Sequence, residues 1–528
     1  MQSRQLRLLL LFSLLGLLTA CPAPAVSIDP LGPMQVWATG SLERVRPEDP
    51  AQPSQPIEIL AARGETESFQ IVLTGPKGVK AARLEVSNLH GPNGATIGKE
   101  NLTLYRQHYV EVREPSPSLD AANRSQGAGW YPDALIPFDA PGGRFRAIPV
   151  DVNPGRNQPF WVDVTVPHNA TPGLYTGIYR VTAQNGTIEG QIRLTVWNFE
   201  LPQRPSLLSF VPLWNTRTKA ARLELLRHRL MPGRVEPGEV RELVNDHGLN
   251  SIDLGFWSGA NAQTCRAKPA PSVAELVAAR SAREAGVPIY NFAFDELDVC
   301  PNDLLPEIRA WVANLRAANV LHLSTLFPRR ELLDDGNGRP LVDIFAINAE
   351  MYEEARRTGL WEAAKARGSS FWFYTALLNR DTPFAPQWLL DYSPTNWRIS
   401  TGFLAYNLGF SGILGWAADF YDPRRGQDPW SDVRYFNAGR AFNGEGLWFY
   451  PGREVGLPGS MVPSIRAKWL RDGIEDYEYL RLLHQRGLDQ RVGSLAVQMA
   501  RSFRDWQRNP AELEAARKRI GEVLHQGR

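Results

Sequence analysis

Between residues 57 and 200 the chain alternates apolar and polar positions with a period of two. Phe69, Ile71 and Leu73 are interleaved with Gln70 and Val72, Phe160, Val162, Val164 and Val166 with Trp161, Asp163 and Thr165, and Ile192, Leu194 and Val196 follow the same rule. That period buries one face of a strand. Turn chemistry separates the runs at Gly75-Pro76, Gly91-Pro92-Asn93-Gly94, Thr171-Pro172-Gly173 and Asn185-Gly186. The pattern predicts an antiparallel β-sandwich over 57–200. Glu200 to Pro205 reads as a linker, and beyond it the period changes. Apolar runs at 207–214, 250–256, 288–294, 320–327, 342–348, 370–376, 412–417 and 446–450 alternate with helical stretches such as 273–285 and 304–318. Eight strands alternating with helices predict a (β/α)8 TIM-type barrel over 206–455. Ser464 to Gln485 then carries Ile465, Trp469, Ile474, Tyr477 and Leu480 at helical spacing. It predicts an amphipathic helix whose charges form a solvated face and which opens a C-terminal helical appendage, 463–528. The fold class is therefore multidomain α/β.

The first twenty residues do not belong to this pattern. Arg4 and Arg7 precede an apolar stretch from Leu8 to Leu18, the layout of a secretory signal over 1–20. Its ending, Leu18-Thr19-Ala20-Cys21, resembles a bacterial lipobox, which implies that Cys21 is lipidated and that the protein is exported and anchored to a membrane of the cell envelope, on its periplasmic or outer surface. Residues 21–56, rich in proline and polar side chains, predict a tether. With 58 basic and 56 acidic residues the net charge is +2, and no basic stripe points to nucleic acid. No metal or cofactor motif is present, so none is expected. The 16 Trp and 15 Tyr residues supply flat faces on which sugar rings stack, which makes a glycan the expected partner.

The candidate chemistry lies at the end of the third barrel run. Pro288-Ile289-Tyr290-Asn291-Phe292-Ala293-Phe294 is apolar and aromatic and stops at Asp295-Glu296. The C-terminal ends of barrel strands carry the chemistry of such folds, because the loops above them converge on one pocket. Other polar and aromatic residues fall at equivalent ends: Trp257 after the second run, Asn348 after the fifth, Trp372 and Tyr374 in the sixth, and Trp416 and Asp419 closing the seventh. Together they predict a substrate-binding cleft suited to a sugar. Cys265 follows the second strand and Cys300 lies four residues beyond Glu296, so neighbouring strands bring both to one rim, and a disulfide is expected there.

Several segments resemble glycoside hydrolase family 123 and its large uncharacterised relatives. They are Ala62-Arg63-Gly64-Glu65-Thr66-Glu67-Ser68-Phe69-Gln70, Trp130 to Pro137, Asp295-Glu296, Gly444-Glu445-Gly446 with Tyr450-Pro451-Gly452, and Ser464-Ile465-Arg466 through Arg471 to Leu480. The resemblance implies a β-N-acetylgalactosaminidase in which Glu296 is the general acid/base and Asp295 orients the substrate's acetamido group. Leu297 follows the pair where members usually have proline. Adjacent acids suit neither arrangement of a two-carboxylate glycosidase well, but they suit attack by the substrate's own acetamido oxygen, with a raised Glu296 pKa in an apolar wall and Tyr374 bonding the acetamido carbonyl. Two other readings stay open. One is a two-carboxylate glycosidase with Glu350 or Asp419 as nucleophile, and the other an inactive, lipid-anchored glycan-binding protein.

Overall fold

The computed structural model describes residues 31–377 and 382–527. The signal over 1–20, Cys21 and the first part of the tether lie outside the described residues. The remainder of the expected tether is not all unpaired linker. Gln35–Gly40 forms a strand paired antiparallel with Thr66–Thr74, because Val36 and Trp37 are apolar enough to be buried in the sandwich. The sandwich therefore begins about twenty residues earlier than residue 57.

Its first sheet has the order Gln35–Gly40, Thr66–Thr74, Gln158–Thr165, Leu102–Val112, Gly129–Pro137. The second runs Ile57–Arg63, Gly186–Glu200, Gly173–Ala183, Val79–Val86, Val150–Val152, with two short strands, Leu89–His90 and Thr96–Ile97, at one side. Inward residues of both sheets, among them Phe69, Ile71, Phe160, Val162, Leu194 and Val196, form one core. Ladders are antiparallel except that Ile57–Arg63 runs parallel to Gly186–Glu200.

After the linker the chain builds a parallel sheet of seven strands, in chain order Leu208–Phe210, Ile252–Asp253, Ile289–Asp295, Leu321–Thr325, Ile344–Ile347, Ser370–Tyr374 and Gly412–Leu414. The first strand pairs with the seventh, so the sheet curls into a nearly closed barrel whose opening falls between the first and second strands. The stretch around Met231 fills that opening without being a strand: Val211 donates its N–H to the Met231 carbonyl and Asp253 to the Gly233 carbonyl. The eighth strand expected at 446–450 is not part of this sheet. Phe449–Pro451 pairs antiparallel with Met461–Pro463, and the N–H groups of Trp448 and Phe449 both reach the Ala418 carbonyl. The apolar run is buried there as a lid on the seventh strand's exit, which meets its hydrophobic demand as well as a barrel position would.

The helix Ile465–Gln485 differs most from expectation. Its charged residues Arg466, Lys468, Arg471, Asp472, Glu475, Asp476 and Glu478 are all buried. Each has a partner. Arg466 holds Asp133 of the sandwich through two bonds of 2.8 and 2.7 Å, and Tyr450 donates to the same carboxylate. Lys468 and Arg471 converge on Asp163, at 2.7 and 3.3 Å. Burial pushes Asp163 up, but these cations override it and hold the carboxyl well below its usual range. Glu475 pairs with Arg229, and Asp476 with Arg398. Arg517, from the last helix Pro510–Gln526, meets Glu65 and Glu67. Asp133 is thus a fully buried member of the network. The helix is a keystone between sandwich and barrel rather than an appendage, and its polar face is solvated by protein.

Removing one member of a buried pair strands the other charge in a low-dielectric interior, at about 3–5 kcal/mol. Arg466→Met should therefore lose stability on that scale in a urea titration. Lys80→Met, which breaks the exposed pair with Asp151, should lose about 1 kcal/mol or less.

Candidate functional site

The strand Ile289–Asp295 is buried along most of its length and carries a register shift between Phe292 and Phe294 against the neighbouring strand. A bulge at a strand's end re-aims the side chains beyond it. Asp295 then lies level with Thr325, the last residue of the next strand, and Glu296 takes the left-handed conformation, φ 50°. A non-glycine residue held there is strained backbone of the kind that clusters at functional sites.

Thr325 ties the two acids together. Its hydroxyl donates to Asp295 Oδ1 at 2.6 Å and accepts the Glu296 N–H at 2.9 Å, while its carbonyl accepts the same N–H at 3.2 Å. Asp295 is largely enclosed, and burial raises its pKa to about 6; the bond from Thr325 opposes the rise and the neighbouring Glu296 charge adds to it. Glu296 is exposed, not enclosed by the apolar wall expected for it. It accepts a bond of 2.9 Å from the Tyr374 hydroxyl. Burial pushes the Tyr374 hydroxyl well above its usual range, with Glu296 adding to the rise and the Asn348 amide opposing it. A cavity of about 70 Å³ is lined by Glu296, Asn348, Tyr374, Thr375 and Leu377 among others. A larger one, about 420 Å³, is lined by residues of the 42–49 segment, Gln126 and Ser393 and touches none of these strand ends. Its Arg44 and Arg46 are already bonded to Gln126, Tyr392 and Tyr131.

The other sequence candidates divide. Asn348 borders the cavity and also caps the helix Ala349–Arg357, accepting the Met351 N–H. Trp257 packs on Phe292, ring centroids 5.8 Å apart, at the mouth between the second and third strands. Trp416 is half-buried at the end of the seventh strand. Trp372 is fully buried against Tyr290 and cannot meet a substrate. Strand alternation places it on the same interior side as Tyr374 but one layer deeper. Asp419 is no free ligand either: its carboxylate accepts the backbone N–H groups of Trp214, Asn215 and Thr216. Glu350 is exposed in the first turn of Ala349–Arg357. Cys265 and Cys300 are joined, with Cα atoms 5.5 Å apart, and fasten the short turn that follows Glu296 to the loop after the second strand.

Two residues escaped the sequence reading. Thr325 is one. The other is Glu445, buried and raised to about 7 by that burial, whose carboxylate accepts the Trp416 indole N–H at 2.6 Å and the Leu377 N–H at 3.1 Å. Its flanking glycines both have positive φ, and a Cβ on Gly446 would lie 2.4 Å from the Trp416 ring. The Gly-Glu-Gly run signals that turn, but not what the acid holds. Among the described residues no group of three or more His, Cys, Asp or Glu could hold a metal ion, and no helix is long and apolar enough to cross a membrane.

Residues 41–183 match the glycoside hydrolase 123 N-terminal domain, and residues 333–483 the glycoside hydrolase 123 catalytic domain. The fold is similar to that of a family 123 glycoside hydrolase from Clostridium perfringens, whose structure was analysed for glycolipid glycan hydrolysis. The two chains are 13% identical with a TM-score of 0.63, over 94% of this chain and 97% of that one. A β-glucuronidase from Parabacteroides merdae is 11% identical over 76% of this chain and 50% of its own, with a TM-score of 0.29 too low to carry an argument. No curated protein matches the chain.

The Thr325 hydroxyl stabilises the ionised form of Asp295. Thr325→Val should therefore move the Asp295 pKa upward from about 6, read by carbon-detected NMR titration of its carboxyl; an unchanged or lower value would contradict the role given to that hydroxyl.

Proposed function

Because the chain belongs to glycoside hydrolase family 123, we propose that it is a retaining, exo-acting glycosidase that releases a β-linked N-acetylhexosamine, N-acetylgalactosamine-like, by substrate-assisted catalysis. One observation carries the reading: two adjacent acids at one strand end, where a single threonine hydroxyl holds the Asp295 carboxylate and the Glu296 backbone N–H. A glycosidase with a protein nucleophile needs its carboxylates on opposite sides of the sugar, about 5 Å apart. Asp295 and Glu296 leave the same point of the same strand. Asp419, the alternative nucleophile in the loop after the seventh strand, accepts three backbone N–H groups, which lowers its nucleophilicity and fixes its orientation.

In this mechanism the acetamido oxygen attacks the anomeric carbon and Asp295 accepts the acetamido N–H. Desolvation makes the Asp295 carboxylate unfavourable in the empty site, and the positive charge growing on the oxazoline ring relieves that penalty. The interaction is therefore stronger in the transition state than in the ground state, which is the condition for acceleration. Glu296 protonates the departing oxygen and then takes a proton from the water that opens the ring. Its exposure gives leaving group and water a route past it. Tyr374, poised on Glu296, turns its hydroxyl to the acetamido carbonyl once substrate enters. The lipobox-like ending supports an exported enzyme held to the cell envelope through Cys21.

Two measurements test the reading. On chromogenic β-glycosides, turnover should require the 2-acetamido group, and Glu296→Gln should lower it by about 10²–10⁴; equal rates with and without that group would overturn the mechanism. Cys21→Ser should release the protein from membranes or block its maturation, and unaltered membrane fractionation would refute the anchor.

A further inference from the structure

Tryptophan side chains exposed at a pocket rim are conspicuous when their rings are held still. Trp214, four residues beyond the first barrel strand, is 48% exposed. Its backbone N–H and those of Asn215 and Thr216 are gripped by the Asp419 carboxylate, and its indole N–H donates to the Trp416 carbonyl at 2.9 Å. Trp416 is fixed in turn through its indole N–H by Glu445. The two indoles meet edge to face at 6.0 Å, and Phe420 packs against both, at 5.6 and 5.1 Å. Two buried carboxylates thus position an aromatic step, leaving the Trp214 ring open to solvent. A ring that served only the core would be covered.

The step is placed to meet a substrate. Phe210, Leu414 and Tyr374 lie level with one another across the first, seventh and sixth strands, and Tyr374 reaches Glu296. Trp416 follows the end of the seventh strand, next to that of Tyr374, and Trp214 follows the end of the first, one strand further along. Glu445 links the step to the cavity wall, since its second oxygen holds Leu377. A ligand extending from the acids over the seventh and first strands crosses the Trp214 face. The available surface is an aromatic π-face, and the side-chain N–H groups of the adjacent Asn215 are already donated to the Asp419 and Tyr421 carbonyls. That chemistry recognises the C–H face of a sugar ring and offers nothing to an anion.

We propose that Trp214, held by Asp419 and braced on Trp416, is the stacking platform for the sugar on the leaving-group side of the scissile bond. The inference rests on the glycosidase reading above. Asp419 and Glu445 are then positioning residues for the platform and do not touch the reacting atoms.

The test uses the full chain carrying Glu296→Gln, so that ligands persist, and calorimetry with two probes: methyl N-acetyl-β-galactosaminide and the disaccharide in which N-acetylgalactosamine is β-linked to galactose. The disaccharide should bind about tenfold tighter, as one stacked ring is worth roughly 1.4 kcal/mol. Adding Trp214→Ala should bring the ratio of the two affinities close to one, and Trp214→Phe, which keeps a ring, should restore most of it. A ratio that survives Trp214→Ala overturns the platform while leaving the glycosidase reading intact. Failure of both probes to bind Glu296→Gln overturns the glycosidase reading, and the platform with it.

Discussion

The whole arrangement depends on burying the charges of one helix. Ile465–Gln485 places three cations, Arg466, Lys468 and Arg471, against Asp133 and Asp163 of the sandwich, and it meets Arg229 and Arg398 of the barrel through Glu475 and Asp476. Apolar packing would tolerate small shifts between the two domains, since it is non-directional. Buried pairs tolerate far less, because a displaced partner leaves a charge without solvent or counter-ion. The network therefore sets the relative position of sandwich and barrel.

That constraint reaches the site through a short chain of contacts. Arg466, while bound to Asp133, also donates to the carbonyls of Gly444 and Leu447. Between those carbonyls sits Glu445, which holds Trp416 and Leu377 at the barrel mouth. The sandwich, which supplies no group to the acids themselves, thus fixes the turn that shapes the wall beside them. On the opposite side, the Thr325 hydroxyl and the Cys265–Cys300 bridge hold the strand end and the turn beyond it. Asp295 is desolvated and Glu296 exposed, so two neighbouring carboxyls occupy different dielectric surroundings, as separate roles require.

Much of this was legible in the sequence because it depends on periodicity. The alternation of Phe160, Val162 and Val164 gave a sandwich strand, and the apolar run 288–294 gave the strand that ends at the acids. What was not legible depends on partners remote in the chain. Arg466 and Lys468 look like a solvated face until Asp133 and Asp163 are brought opposite them. Thr325 becomes significant only through the register that sets it beside Asp295. Trp372 and Tyr374 share a strand face, and only the depth of the barrel tells which of them meets solvent-filled space. The run at 446–450 is as apolar as a barrel strand, yet the first and seventh strands pair directly and leave it no place between them.

The central claim is that the substrate's own acetamido oxygen is the nucleophile, with Asp295 and Glu296 assisting from one side. The most direct measurement is kcat/KM across aryl β-N-acylhexosaminides whose acyl group carries none, one, two or three fluorines. Fluorine withdraws electron density from the attacking oxygen without altering the leaving group. The account predicts a steep, progressive fall along the series. A flat series, together with a covalent adduct trapped on a protein carboxylate, would contradict it.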